Sequence, residues 1–140
     1  MSTSQTEAEA LQAAIAGEHA ALYGVGVAGG KLSGARFRAA TTLYEQHRKR
    51  RDLLADLLVQ SGQTPAAAEP AYDLPQVVTD PATAVALVLG IERRLGAVYA
   101  DLVEAAEQDG PRTFAVQALI ATAREQLAWG GRPEAFPGQT

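Results

Sequence analysis

Between Ser61 and Thr79 the chain carries Pro65, Pro70 and Pro75 and shows no helical repeat, while both flanking regions are dominated by helix-like periodicity. That interruption constrains the fold more than any other feature. Upstream of it, apolar residues recur at three- and four-residue steps, the mark of a helix face. Leu11, Ala14, Ile15, Glu18, Leu22 and Val25 form one such face, opened by the capping-box pattern Ser4-Gln-Thr-Glu7 and closed at Gly29-Gly30. A second face reads Phe37, Ala40, Tyr44, His47, Arg51, Leu54 and Leu58, with Gly62 as its stop. Downstream, Thr79-Asp80-Pro81 is a helix-start signal, followed by Val85, Val88, Glu92, Leu95, Tyr99, Leu102 and Ala106. A last helix from Pro111 carries Phe114, Ala118, Ala121, Glu125 and Ala128 on one face, and Val116, Ile120, Ala123 and Leu127 on another. The expected helices are therefore about 4–29, 34–61, 81–108 and 111–129, in a single domain with a tail over 130–140.

Connection lengths choose among topologies. The joints near residues 30–33 and 108–110 are short enough to force antiparallel hairpins. The proline-bearing stretch over 62–80 can reach more than ~50 Å at ~3.1 Å per residue, beyond the ~40 Å length of the second helix. It can therefore return the chain to the same end of the bundle. The expected fold is all-α: a ferritin-like four-helix bundle of two antiparallel helical hairpins joined by a long proline-containing crossover. Composition agrees, with abundant alanine and only 6% aromatic residues, a mixture suited to closely packed helices.

The same composition excludes several functions. There is no cysteine, so disulfide, thiolate-metal and thiol chemistry are absent. The net charge of -4 provides no overall basic footprint for nucleic acid, and His47-Arg48-Lys49-Arg50-Arg51 is one helical turn flanked by Glu45, Asp52 and Asp56. No apolar run reaches the ~18 residues of a membrane span, and Met1–Glu7 has no leader-like pattern, so a cytoplasmic protein without membrane contact is expected. Gly24 to Gly29 spells G-V-G-V-A-G, a dinucleotide-loop pattern, with Glu45 about twenty residues on. A helix rather than a strand leads into it, which points the negative end of a helix dipole at the loop and removes that reading. The P-loop pattern fails as well, because Leu32 follows Lys31 where a hydroxyl residue is required.

What remains is a polar centre. Di-iron carboxylate bundles take one Glu from each of two helices and Glu-x-x-His from each of the others. Glu18 and Glu92 lie on inward faces, but Tyr44 stands three before His47 and Ala128 three after Glu125. His19, one step from Glu18, points about 100° away from it. An unpaired buried carboxylate costs several kcal/mol, so these acids need partners. The expected core cluster is Glu18, Tyr44, His47, Arg48, Arg51, Glu92 and Tyr99, with Lys49 and Arg50 on a solvated face, no cofactor and no metal. The competing expectations are a metal-dependent oxidase or oxygenase using Glu18, His47, Glu92 and Glu125, and a pocket for an unidentified small molecule.

E-H-A-A-L-Y-G (residues 18–24), H-R-K-R-R-D (47–52), P-A-Y-D-L-P-Q-V-V-T-D-P (70–81), A-V-Y-A-D-L-V (97–103), Trp129 and A-F-P-G (135–138) resemble a bacterial ferritin-like family of unknown function. The resemblance spans nearly the whole chain. It implies the ferritin-like fold and a histidine–arginine pattern on the second helix, and it implies no reaction. Tyr72, Leu74 and Val77 are expected to pin the crossover to the bundle, and Trp129 to pack beneath the tail. Phe136 is expected to anchor the tail or to reach a second subunit in a homodimer.

Overall fold

The computed structural model describes residues 5–133 and 135–138. Four helices follow in order: α1 (Glu7–Gly29), α2 (Gly34–Gln60), α3 (Pro81–Ala105) and α4 (Asp109–Ala128). Among the described residues there is no strand. α1 packs on α2 and on α3, and α3 packs on α4, whereas α2 and α4 scarcely touch. The core is continuous, and its largest fully buried apolar side chains include Leu11, Ile15, Leu43, Leu54, Leu58, Leu87, Tyr99 and Leu102. Among the described residues no helix is long and apolar enough to cross a membrane.

Helix ends are set by local chemistry and, in one case, by a distant residue. α1 opens with a capping box between Thr6 and Glu9. The expected box instead joined Ser4 to Glu7, and its serine lies outside the described residues. α3 opens with Asp80, whose side chain accepts from the Thr83 amide while Thr83 bonds back. It ends at Ala105, short of the expected end near 108, because Ala106 leaves the helix at ψ 126. α4 then starts at Asp109, with Pro111 inside the first turn where no amide is needed. Its N-cap residue, Gln108, makes no side-chain cap bond. Just before the helix, the Glu7 carboxylate of α1 accepts from the amides of Glu107 at 2.6 Å and Gln108 at 2.9 Å and fixes the lead-in.

The segment between α2 and α3 lies along α1. Gln12 donates its side-chain amide to the Thr64 carbonyl at 2.7 Å and accepts from the Ala66 amide at 2.9 Å. His19 Nε2 donates to the Ala66 carbonyl at 2.9 Å. Further on, the Tyr72 ring meets Tyr23 at 5.8 Å, and Leu74 reaches the bare backbone of Gly24. A β-carbon at Gly24 would fall 2.5 Å from Ile91 Cδ1, so α1 and α3 approach closely at that residue. Val77, expected to help pin this segment, is 81% exposed.

Two other expectations are corrected. Phe37 belongs to the inward face expected of α2, but it stands 48% exposed at the start of that helix. The buried stripe of α4 is Pro111, Ala115, Ala118, Thr122 and Gln126, so the helix is rotated from the expected face. Phe114, Ala121 and Glu125 are half-buried, Ala128 is exposed, and Val116, Ile120 and Leu127 face outward. Trp129 is buried, with Arg36 stacked over its ring at 4.9 Å. The tail returns to α3 through the Gly138 backbone, which packs on the Gly96 carbonyl and Ala100, while Phe136, expected as an anchor, stands 71% exposed.

Candidate functional site

Each of the first three helices delivers a polar side chain to one point. On α1, Glu18 falls on the stripe that buries Leu11, Ala14, Ile15 and Leu22. On α2, His47 shares the buried stripe with Leu43, Leu54 and Leu58. On α3, the buried stripe runs Val88, Glu92, Leu95, Tyr99 and Leu102, which sets Glu92 and Tyr99 two turns apart on one side. Glu18, His47 and Glu92 are all 0% exposed.

The imidazole of His47 sits between the two carboxylates. Its Nδ1 donates to Glu18, 2.9 Å from Oε2 and 3.2 Å from Oε1, and its Nε2 donates to Glu92 Oε1 at 2.6 Å. Tyr99 donates its hydroxyl to Glu18 Oε1 at 3.0 Å. Arg50, only 12% exposed, brings Nε to 3.5 Å from Glu18 Oε1. Its Nη2 also lies 3.1 Å from His47 Nδ1. A protonated Nδ1 has no lone pair to offer, so the attraction to Glu18 is what holds the guanidinium there. The centre thus sets two basic groups, His47 and Arg50, against the two carboxyl groups of Glu18 and Glu92.

The electrostatics follow from that arrangement. Burial alone pulls the His47 pKa down, but the hydrogen bonds and charges of Glu18 and Glu92 more than reverse this and raise it to about 9. His47 is therefore an imidazolium at neutral pH. Burial, with the Glu18 charge next, pushes the Tyr99 phenol well above its ordinary value and keeps it a donor. Burial, then the Glu92 charge, raises the half-buried Glu125, which accepts from Trp129 Nε1 at 3.1 Å. Glu92 Oε2 and Arg50 Nε are buried without a hydrogen-bond partner among the described residues.

Of the residues expected in this cluster, Glu18, His47, Glu92 and Tyr99 meet directly. The other three do not. Tyr44 is half-buried and makes no side-chain hydrogen bond to the group, lying instead along the groove with Gly26 and Phe37. Arg48 is 54% exposed and pairs with Glu45, and Arg51 turns outward to Asp52 at 3.0 Å. Arg50, expected in solvent, takes the inward place. The thin contact between α2 and α4 leaves room on that flank for a long side chain to reach Glu18. We expect Arg50→Met to lower the unfolding free energy by about 1–3 kcal/mol, because it removes a charge-assisted contact from a buried carboxylate. Arg51→Met should stay within about 0.5 kcal/mol of the parent. Urea melts of the two variants side by side check this, and equal losses would contradict the assignment.

These features define a class: a four-helix, all-α domain whose middle is closed by a buried carboxylate–imidazolium–carboxylate bridge. The family follows from comparison with known proteins. A family model described as Domain of unknown function (DUF4439) matches residues 10–140, and the chain belongs to that family. Among solved structures it is similar to a conserved hypothetical protein, rv2844, from Mycobacterium tuberculosis. The two share 31% identity over 92% of this chain and 94% of that one, with a TM-score of 0.86. No curated protein matches the chain.

Proposed function

We propose that this is a ferritin-like bundle, two helical hairpins joined by a crossover, that has exchanged catalysis for assembly and acts as a homodimeric binding or scaffolding module. One observation carries the reading: the space between Glu18 and Glu92 is filled by the chain's own cation, His47. A metal-ligand histidine must offer a ring nitrogen to the ion, and here each nitrogen of His47 is engaged by a carboxylate, Nδ1 by Glu18 and Nε2 by Glu92. The two carboxylates also sit on opposite edges of the ring, so they do not converge on one ion. The residues therefore do not fit a di-iron group. Tyr44 and Ala128 occupy the positions where the remaining bridging carboxylate and histidine belong. Among the described residues no group of three or more acidic or histidine side chains is arranged to hold a metal ion.

Elemental analysis after anaerobic incubation with iron(II), and separately with manganese(II), tests this reading. The expected result is less than about a tenth of an ion per chain in both cases, with no dioxygen consumed on exposure to air. One or two retained ions per chain, lost in Glu18→Gln and His47→Gln variants, would replace it with a metal-dependent oxidase or oxygenase.

A further inference from the structure

The outward edge of α2 carries Arg38, Thr42, Glu45, Lys49, Asp52 and Asp56, every one of them exposed. They recur at alternating steps of four and three residues, so they form one straight seam of the kind two helices share in a coiled coil. The seam spans about 27 Å at 1.5 Å per residue.

Its order of charges is self-complementary in one direction only. Laid antiparallel against a second copy, with the two-fold axis at the level of position 47, Arg38 meets Asp56, Thr42 meets Asp52 and Glu45 meets Lys49. Symmetry then repeats each pairing. Laid parallel, every charge meets its own kind. Within the chain Glu45 is held by Arg48 and Asp52 by Arg51, while Arg38, Lys49 and Asp56 have no ion-pair partner among the described residues. Three exposed apolar side chains flank the seam: Phe37 (48%), Leu53 (52%) and Val59 (64%). In the antiparallel register Phe37 arrives beside Val59 of the other copy, which supplies apolar burial at both ends of the ladder.

We infer that this edge of α2 is an isologous homodimer interface, its occupant a second copy of the same chain paired antiparallel. The inference rests on the homodimer reading above and adds the face and the register. An isologous contact requires a surface complementary to itself about a two-fold, and that is the property the charge order has. Opposed charges fix register and exclude wrong pairings more than they add affinity, so the seam specifies while its apolar flanks hold.

Sedimentation of the full chain with two exposed-site variants, Arg38→Glu and Asp56→Arg, tests it. The parent should sediment as a dimer whose dissociation constant rises with salt. Each variant alone places two like-charged pairs in the seam and should weaken self-association at least about a hundredfold. Mixed in equal amounts they should recover a 1:1 dimer, because each substituted position then meets its opposite. A dimer indifferent to both variants, yet broken by Ile120→Lys on α4, would overturn this interface and leave the homodimer reading in place. A parent that stays monomeric at all concentrations would overturn both.

Discussion

Replacing His47 with leucine should cost about 3–5 kcal/mol of stability at pH 7, the loss typical of breaking a buried ion pair from one side. In a domain of this size that is a fall in Tm on the order of 10–20 °C. The leucine fills part of the space, but it leaves Glu18 and Glu92 facing each other at 0% exposure without the cation between them. Arg50 reaches only Glu18, so it cannot neutralise both. The decisive comparison is the triple replacement Glu18→Met, His47→Leu and Glu92→Met. Removing all the charges together should return stability to the parent level or above it, because desolvating ions consumes most of what their attraction supplies. Thermal and urea melts of the single and triple variants measure this. A triple variant no more stable than the single one would mean that shape, rather than charge balance, governs the centre.

The second large effect is with pH. His47 titrates at about 9 in the folded chain against 6.5 for a free histidine. A base whose pKa rises on folding holds its proton more tightly in the native state. Its contribution is therefore complete below pH 6.5, shrinks as the pH climbs, and is gone above about 9. At about 1.4 kcal/mol per pH unit, the whole contribution is about 3 kcal/mol. Urea midpoints measured between about pH 6 and 10 should fall across that window in the parent. The His47→Leu variant has no such proton to lose, and its curve should be flatter over the same range. Equal slopes in both would place the titration elsewhere.

Much of this is legible in the sequence, and the misses have physical causes. Leu11, Ala14, Ile15 and Glu18 on α1, and Val88, Glu92, Leu95, Tyr99 and Leu102 on α3, are all buried, as a single apolar stripe on each helix implies. Helix α4 has two apolar stripes that pull a periodicity reading in different directions, and the face that meets the bundle is neither: it lies between them and carries Ala115, Ala118, Thr122 and Gln126. The exchange of Arg51 for Arg50 has a related origin. On a helical wheel Arg51 lies about 40° from His47 and Arg50 about 60° away on the other side, using about 100° per residue. The nearer angle favours Arg51, but the open flank beside α4 admits Arg50, and only the packing of neighbouring helices creates that opening. Two capping patterns overlap at the start of α1, Ser4 with Glu7 and Thr6 with Glu9, and local chemistry gives no reason to choose between them. Glu7 is free for another task that no short-range pattern records.

That task ties the start of α1 to the joint between α3 and α4. Glu7 holds the lead-in to α4 from a hundred residues away, accepting from the amides of Glu107 and of the N-cap residue Gln108. The approach to the last helix thus depends on the beginning of the first. On a ribosome, this contact can form only once the joint after α3 has emerged and α1 has docked, so the lead-in to α4 is fixed by tertiary packing rather than by its own local sequence. In the folded protein, amide exchange at Glu107 and Gln108 reports on whether α1 is in place, although neither residue belongs to α1.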